Sequence, residues 1–252
     1  MGKSPIPVGN ADFEIACNYL GWSDPEGGIW FIGPEEGQEF DETVIRDMRG
    51  KRFSYAEGAK ETQGGVPRKD KEGKEGQEEN LFPVKRRVLK IVSMLNGYDM
   101  NNDIAKALWK KGSRIFNGNL LPLGKNSIDE WPSTYRDLFG MDYEQYKSHQ
   151  CDIMTRRIHT LRTMGKEMRP QAVVCFGVTY WSWFQKAFLS EKCNGSCDIE
   201  RKDLKIKVCN TSRLILTGHF SYGYHFTNEA LDFVVRTLKD WNVVLPRSAD
   251  TA

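Results

Sequence analysis

Short apolar runs, each bounded by glycine or proline, alternate along this chain with longer segments of helical periodicity. The four apolar runs are residues 28–33, 114–122, 172–177 and 214–217. Runs of this length with such boundaries are typical of strands buried on both faces of a parallel sheet. Because strands alternate with helices, the pattern predicts a three-layer α/β/α fold around a central four-stranded, mainly parallel sheet.

Apolar residues spaced three and four apart predict the helices that cover this sheet. They fall at residues 11–20, 83–97 and 151–168, and a last helix begins at a Thr227 cap. In the helix at 151–168, Arg157 falls on the face that the pattern assigns to solvent. An aromatic-rich helix is expected after the third strand, and one arm of a peripheral hairpin at residues 204–208.

Residues 41–80 interrupt this alternation, because the stretch is polar, glycine-containing and highly charged. Such a composition cannot bury enough apolar surface to offset the entropy lost when a segment becomes ordered. A loop of this length inside one domain is usually either functional or disordered. We therefore expect a single domain over residues 1–252 with a flexible insertion, which is either a surface loop or a flap over the substrate.

The overall composition narrows the classes of function without naming one. Of the 252 residues, 39% are hydrophobic and 28% are charged, which is ordinary for a soluble globular protein. No apolar run is long enough to span a membrane, and the first residues lack the apolar core of a secretory signal. We therefore expect a cytoplasmic monomer without a membrane partner.

The six cysteines predict no metal site and no cofactor. Cys175 lies inside a predicted buried strand and is expected to be a small core residue. Cys193, Cys197 and Cys209 lack the Cys-x-x-Cys spacing that is usual in zinc and iron–sulfur sites. Reduced thiols are the default in a cytoplasmic protein, so we expect no disulfide.

Two of the predicted strands are followed by ionisable side chains. Pro34, Glu35 and Glu36 follow the first strand, and Gly218 and His219 follow the last. Ligands of open α/β sheets bind beyond the carboxyl ends of the strands, so both positions are expected to face one crevice. A carboxylate there can orient a water molecule and stabilise positive charge, while an imidazole can stabilise a departing anion. The pair favours a hydrolytic site.

Four segments in this order resemble the motifs of the uracil-DNA glycosylase superfamily. They are Gly33-Pro34-Glu35-Glu36-Gly37, the strand that carries Asn117 and Asn119, the strand after Pro170, and His219-Phe220-Ser221. The resemblance covers most of residues 11–242. It implies a uracil-DNA-glycosylase-like fold and a DNA glycosylase, which extrudes a base and hydrolyses its N-glycosidic bond. The chain departs from the family pattern at Glu36 and Phe220, which stand where the family has proline.

The resemblance also implies roles for individual residues at the strand ends. Glu35 and His219 would be catalytic, with Glu36 as the alternative carboxylate. Asn119 would recognise the flipped base through its amide, which both donates and accepts hydrogen bonds. Asn117 is the alternative, because strand alternation puts both side chains on one face.

Two further positions concern the base itself. Phe82 would stack on it, with Phe40 and Phe53 as alternatives. Gly37 stands where uracil-specific relatives carry a tyrosine that closes the pocket against substituents at C5 of the pyrimidine. Glycine leaves room for a larger base, so a C5-modified pyrimidine, such as glucosylated hydroxymethylcytosine of phage DNA, is expected at least as readily as uracil. Removal of such a base would make the protein a phage-defence enzyme.

Contacts to DNA are expected on both sides of the crevice. A net charge of +2 is too small to indicate a nucleic-acid partner by itself, so local clusters carry more weight. Lys85 and Arg86 open the helix predicted at residue 83 and would contact phosphates. Tyr222 and Tyr224 follow the histidine where relatives insert a wedge into the duplex, and Ser221 lies in the same motif.

Two other classes of function stay open. The chain could be an inert DNA-binding module of the same fold, although a pure binder needs neither the acid nor the histidine. It could also hydrolyse free nucleosides or nucleotides, although the basic clusters favour a polymeric substrate.

Overall fold

The computed structural model describes residues 10–35, 40–55, 83–97, 110–125, 131–190, 197–221 and 225–245. Within these ranges eight strands form one mixed sheet. They are β1 (Gly21–Ser23), β2 (Ile29–Gly33), β3 (Phe53–Ser54), β4 (Ile115–Asn119), β5 (Ala172–Phe176), β6 (Ile199–Arg201), β7 (Ile206–Cys209) and β8 (Leu214–Thr217). The α-helices are α1 (Ala11–Asn18), α2 (Glu42–Met48), α3 (Pro83–Asn96), α4 (Ser133–Phe139), α5 (Tyr143–Met168), α6 (Trp181–Phe188) and α7 (Asn228–Asp240).

The order of the strands across the sheet is β3-β1-β4-β2-β5-β8-β7-β6. The four central strands, β4, β2, β5 and β8, run parallel to one another. The junctions of β1 with β4, β7 with β8, and β6 with β7 are antiparallel. The prediction of an α/β fold with four parallel central strands is therefore confirmed. The sheet is wider than predicted, because short strands extend both of its edges.

Side chains of the central strands alternate between two helical layers. On β2, Ile29 and Phe31 pack with α3 and α7, whereas Trp30 and Ile32 pack with α5 and α6. All four side chains are completely buried. Because the strand is covered on both faces, its apolar run is continuous. The predicted three-layer arrangement is confirmed.

A third apolar cluster lies beyond the sheet, between α1, α2, α4 and the first turns of α5. It includes Ile45 and Met48 of α2, which the polar composition assigns to the flexible insertion. Residues 41–55 are thus ordered and contain α2 and β3, contrary to that prediction. Composition alone misses them because α2 buries only these two side chains, against a core that other segments supply. Residues 56–80 of the predicted insertion lie outside the described residues.

Helix α5 begins well before the predicted residue 151. Its start at Tyr143 is fixed by a capping box between Asp142 and Gln145. The Asp142 side chain accepts a hydrogen bond from the Gln145 N–H at 2.9 Å, and the Gln145 side chain accepts one from the Asp142 N–H at 2.8 Å. Only Tyr146 and His149 are buried between residues 143 and 150, so apolar periodicity does not reveal this part of the helix.

Arg157, which the periodicity assigns to solvent, is instead buried, with 1% of its surface exposed. Its guanidinium donates hydrogen bonds of 2.5–3.3 Å to the carbonyl oxygens of Cys17, Tyr19, Asn119 and Leu120. The first two carbonyls lie at the end of α1 and the other two at the end of β4, so one side chain ties both segments to α5. Burial lowers the pKa of Arg157 to about 10, and the carbonyl dipoles stabilise the cation.

The structure pairs Cys197 with Cys209 in a disulfide across the β6–β7 hairpin. The expectation of reduced thiols is therefore wrong for this pair. Cys175 is buried in the core, as predicted, and Cys193 lies outside the described residues. In the described part of the chain, no group of three or more Asp, Glu, His or Cys side chains is arranged to hold a metal ion. No described helix is both long enough and apolar enough to cross a membrane.

We predict that Arg157→Met lowers the free energy of unfolding by about 3 kcal/mol or more, because several buried carbonyl groups lose their donor at about 1–3 kcal/mol each. The matched control is Arg156→Met, because Arg156 pairs with Glu14 at 2.5 Å on the surface. An exposed ion pair contributes about 0–1 kcal/mol, so this variant should stay close to wild type. Urea unfolding followed by circular dichroism measures both values, and equal losses would contradict the structural role of Arg157.

Candidate active site at the carboxyl edge of the sheet

The carboxyl ends of β2, β4, β5 and β8 lie at one edge of the sheet, since these strands are parallel. The register pairs Gly33 of β2 with Asn119 of β4, and Phe176 of β5 with Thr217 of β8. The loops that follow these strands therefore start side by side. In open α/β sheets this edge is where ligands bind.

Gly33 is the point over which two side chains meet. A Cβ atom at this position would lie 2.7 Å from ring carbons of Phe176 and 3.2 Å from Asn119 Oδ1. Any side chain here would collide with the aromatic ring, so the glycine lets the ring and the amide approach the end of β2. Asn119 is only partly buried, so its amide can meet a ligand at this edge.

Asn117 lies two residues before Asn119, on the same face of β4, as strand alternation requires. It is 6% exposed, and its side-chain oxygen has no hydrogen-bond partner among the described residues. A buried amide oxygen without a donor is destabilising. A donor from a ligand or a water molecule would therefore stabilise this position.

Gly177 separates the two loops that carry the predicted acid and histidine. Its φ of 115° lies in the region that favours glycine. A Cβ atom here would lie 3.6 Å from Pro34 Cδ and 3.8 Å from His219 Cδ2. Pro34 directly precedes Glu35, so the structure brings the Glu35 loop and the His219 side chain together around one glycine.

The carboxylate of Glu35 lies 3.7 Å from the ammonium group of Lys125. The side chains are 17% exposed for Glu35 and 5% exposed for Lys125. Burial raises the pKa of Glu35, and the positive charge of Lys125 opposes that rise. Lys125 Nζ also lies 5.1 Å from the ring centroid of Tyr143, which is a cation–π distance. The ionisation of this carboxylate thus depends on one buried lysine.

Two further tyrosines lie close enough to Glu35 to sense its charge. Burial raises the pKa of both Tyr146 and Tyr180, and the negative charge of Glu35 raises each further. The Tyr146 hydroxyl is buried and has no hydrogen-bond partner among the described residues. No motif in the sequence predicts these tyrosines or Lys125 as site residues. The capping box of α5 is a local signal for Tyr146, because it starts that helix at this edge.

The imidazole of His219 is partly buried, and a backbone group fixes its tautomer. Its Nδ1 accepts a hydrogen bond from the Ser221 N–H at 3.2 Å, so the proton of the neutral ring lies on Nε2. Burial lowers the pKa of His219, and the coulombic interaction with His225 lowers it further. A neutral ring with an Nε2–H donor can stabilise a developing anion by hydrogen bonding.

Phe220 occupies a position at which the family pattern has proline, and it anchors the histidine loop. It is 1% exposed and stacks on Phe176, with a centroid distance of 4.4 Å and an interplanar angle of 12°. Phe226 also packs against it, at a centroid distance of 4.5 Å. Since the residue after His219 is held in the core, the imidazole that follows β8 is held beside the end of β5, with its ring centroid 5.7 Å from that of Phe176.

The basic start of α3 reaches the same edge. Lys90, in the second turn, donates a hydrogen bond of 3.2 Å to Asn228 Oδ1 at the start of α7. Lys85 and Arg86 lie in the first turn, and Arg86 is exposed. The predicted phosphate contacts therefore lie near the loop that carries His219 and leads into α7.

The two alternative stacking residues are engaged in packing elsewhere. Phe40 is buried in the cluster around α1 and α4, and Phe53 packs on Phe116 and Tyr55 at the edge of the sheet.

Several predicted site residues lie outside the described residues, namely Glu36, Gly37, Phe82, Tyr222 and Tyr224. Their roles stay predictions.

No protein-family model matches this chain, and no curated protein matches it with significant sequence similarity. The resemblance to the uracil-DNA glycosylase superfamily therefore stays a prediction. The function has to be inferred from the geometry and charge of the site.

We predict that the free energy of unfolding of Lys125→Met falls more steeply than that of wild type as the pH rises above 4.5, the ordinary pKa of a glutamate. Without the lysine, the buried Glu35 carboxyl is more stable in its protonated form, so its folded-state pKa lies further above the unfolded value. The folded state then holds an extra proton, and stability is lost as that proton leaves. Urea unfolding at several pH values measures the effect.

The double variant Glu35→Gln/Lys125→Met is the control, because it removes both charges and should lack the steeper fall. A carbon-13 NMR titration of the Glu35 carboxyl, assigned by comparison with Glu35→Gln, tests the direction of the shift directly. An unchanged Glu35 pKa in Lys125→Met would contradict the ion pair.

Proposed function

We propose that this protein is a DNA glycosylase that hydrolyses the N-glycosidic bond of a non-canonical base extruded from DNA, leaving an abasic site. The observation that carries the proposal is that the strand ends bearing Glu35, Asn119 and His219 lie side by side: Asn119 lies over Gly33, and His219 lies beside Gly177 together with Pro34, the residue before Glu35. The proposal includes a uracil-DNA-glycosylase-like fold, with which four central parallel strands between two helical layers are compatible. The chemistry needs neither a metal nor a cofactor.

The reaction breaks the bond between the anomeric carbon of the sugar and a nitrogen of the base. The electron pair of that bond passes to the base, and positive charge develops on the sugar. Glu35, whose ionised form is favoured by Lys125, stabilises this charge and orients a water molecule whose oxygen bonds to the anomeric carbon. The proton released by the water passes to the carboxylate, which returns it to solvent.

The departing base carries the negative charge, and His219 acts on this half of the reaction. Its Nε2–H donates a hydrogen bond to a carbonyl oxygen of the base, so the anion is stabilised without full proton transfer. The lowered pKa of His219 keeps the ring neutral near pH 7. The Ser221 N–H holds the proton on the nitrogen that faces the base.

Asn119 recognises the extruded base. An amide matches the edge of a pyrimidine, since its oxygen accepts and its nitrogen donates a hydrogen bond. Asn117 is the alternative, and its unpartnered buried oxygen can accept a hydrogen bond from an amino group. A cytosine-derived base offers such a donor from its amino group and uracil offers one from its N3–H, so this oxygen suits either base.

Lys85 and Arg86 bind phosphates of the DNA. Arg86 is exposed in the first turn of α3. A cation at the start of a helix opposes the helix dipole, so an anion bound beside Arg86 would stabilise this turn. Phosphate contacts of this kind give affinity that is independent of sequence, as an enzyme that searches DNA requires.

We predict that Glu35→Gln and His219→Ala each lower the rate of base excision by roughly 10²–10⁴-fold, the usual contribution of a positioned acid–base group. DNA binding and folding should persist in both. The matched controls are Glu167→Gln and His159→Ala, which change the same residue types at exposed positions. The assay counts abasic sites by alkaline strand cleavage and identifies the released base by mass spectrometry, with uracil and several modified bases in the DNA.

Full activity of His219→Ala would exclude the proposed role of the histidine, and full activity of Glu35→Gln would transfer the role of the carboxylate to Glu36. A wild-type protein that binds these DNAs without releasing any base is an inert binding module. Release of base from free nucleosides or nucleotides, but not from DNA, would indicate the third class of function.

We predict that Gly37→Tyr abolishes excision of pyrimidines with a bulky C5 substituent while affecting uracil far less. By the resemblance to uracil-specific relatives, the added ring would occupy the space beside C5, and overpacking of a site typically costs about 1–3 kcal/mol even when neighbouring groups can shift. A substituent as large as a sugar cannot be accommodated by such shifts. Excision rates on uracil DNA and on DNA with a bulky C5-modified cytosine, for wild type and variant, measure the effect. Equal losses on both substrates would remove the support for a larger pocket.

A further inference from the structure

A second concave site lies beside the proposed active site, between α6 and the β6–β7 hairpin. It is a cavity of about 320 Å³, a volume at the lower end of the range for ligand pockets. We call it the hairpin cavity. Its wall has an apolar part, Val178 and Trp181, and a polar part that includes Glu200, Lys202, Lys205 and His225.

His225 connects the hairpin cavity with the loop that carries His219. A Cβ atom on Gly218 would lie 1.8 Å from the carbonyl oxygen of His225, so the two backbone segments are in direct contact. The coulombic interaction with His225 also lowers the pKa of His219. The hairpin cavity and the proposed active site therefore share one loop.

The charges on the rim of the cavity favour an anion. Lys202 and Lys205 are exposed in the hairpin turn, and neither forms an ion pair with another described residue. Arg201 is different, because Asp203 and Glu229 lie 2.7 and 3.8 Å from its guanidinium. Two lysine charges thus remain to attract a phosphate.

The apolar part of the wall favours a flat group beside that phosphate. Val178 is 42% exposed, which is unusual for a large apolar residue of this structure. The Trp181 ring is held in place because its Nε1–H donates a hydrogen bond of 3.0 Å to the Thr217 carbonyl. Glu200 adds a hydrogen-bond acceptor, and Lys207 at 3.5 Å balances its charge. A phosphate, a flat apolar surface and one acceptor together match a nucleotide.

We propose that the hairpin cavity binds one nucleotide of the DNA strand that continues from the extruded base. A backbone phosphate lies at Lys202 and Lys205, and the base or sugar packs against Val178 and Trp181. This inference rests on the proposed function, because it takes DNA as the substrate of the neighbouring active site.

A DNA strand fits this position better than a free nucleotide does. The loop that carries His219 meets the basic start of α3 at Phe226, where the Arg87 guanidinium lies 5.9 Å from the ring centroid. The same loop meets the hairpin cavity at His225. A polyanion that crosses the loop therefore meets cations at two places, whereas a mononucleotide can use only one of them.

The test compares Lys202→Gln/Lys205→Gln with wild type for binding to two unmodified synthetic oligonucleotides, one single-stranded and one duplex. Fluorescence anisotropy at several salt concentrations gives the dissociation constants. Loss of two phosphate contacts should reduce the slope of log affinity against log salt by about 1.4 for the single strand or about 1.8 for the duplex. At low salt the affinity should fall about tenfold or more.

The matched control is Lys166→Gln/Lys239→Gln, which removes the same charge from the last turns of α5 and α7, at exposed positions. An unchanged salt slope in the hairpin variant, or an equal change in this control, overturns the proposal. Deoxycytidine monophosphate, titrated by NMR, is the second probe. The hairpin variant could lose binding of deoxycytidine monophosphate and keep wild-type affinity for both oligonucleotides. In that case the cavity is a free-nucleotide site and the assignment to a DNA strand is wrong.

Oligonucleotide binding needs no excision, so the two proposals can be separated. If the hairpin variant keeps a normal excision rate and an unchanged salt slope, the proposed glycosylase activity stands and the proposed cavity contact is excluded. If the wild-type protein excises no base, but the hairpin variant shows the reduced salt slope, the proposed glycosylase activity is wrong and the proposed cavity contact with DNA stands.

Discussion

The geometry of the candidate site depends on the hydrogen bonds of one buried arginine. Arg157 donates to carbonyl oxygens at the end of α1 and at the end of β4, and the oxygen of Asn119 is one of them. A buried cation is stable only where several dipoles converge, so these segments have to meet at one place. The helix that carries Arg157 also carries Tyr143 and Tyr146, so one helix sets both the position of the amide and the surroundings of Glu35.

The central strands can be predicted from sequence because both of their faces are buried. A strand that helices cover on both sides has to be apolar at nearly every position, and β8 coincides with the predicted residues 214–217. The two strands at one side of the sheet, β3 and β1, are two and three residues long, and their partners are distant in the chain. No local pattern indicates them. Arg157 is missed for another reason, since one inward side chain hardly changes the periodicity of a long helix.

The candidate site is predictable where it belongs to the strands. Glu35, Asn119 and His219 end or follow buried parallel strands, and such positions converge at one edge of the sheet whatever the loops between them do. Lys125 and Tyr146 belong to a loop and a helix whose placement against Glu35 is decided by tertiary packing. No sequence pattern marks Lys125, and the capping box marks the start of α5 but not the approach of Tyr146 to Glu35.

Burial acts on the two proposed catalytic groups in opposite directions. It raises the pKa of Glu35 and lowers that of His219, because it disfavours the charged form of each. The proposed reaction needs the carboxylate charged and the imidazole neutral, and both conditions hold only above the two pKa values. Lys125 opposes the rise of the Glu35 pKa, and His225 adds to the fall of the His219 pKa, so each neighbour extends the competent pH range downward. These two groups therefore limit the reaction only from the acidic side.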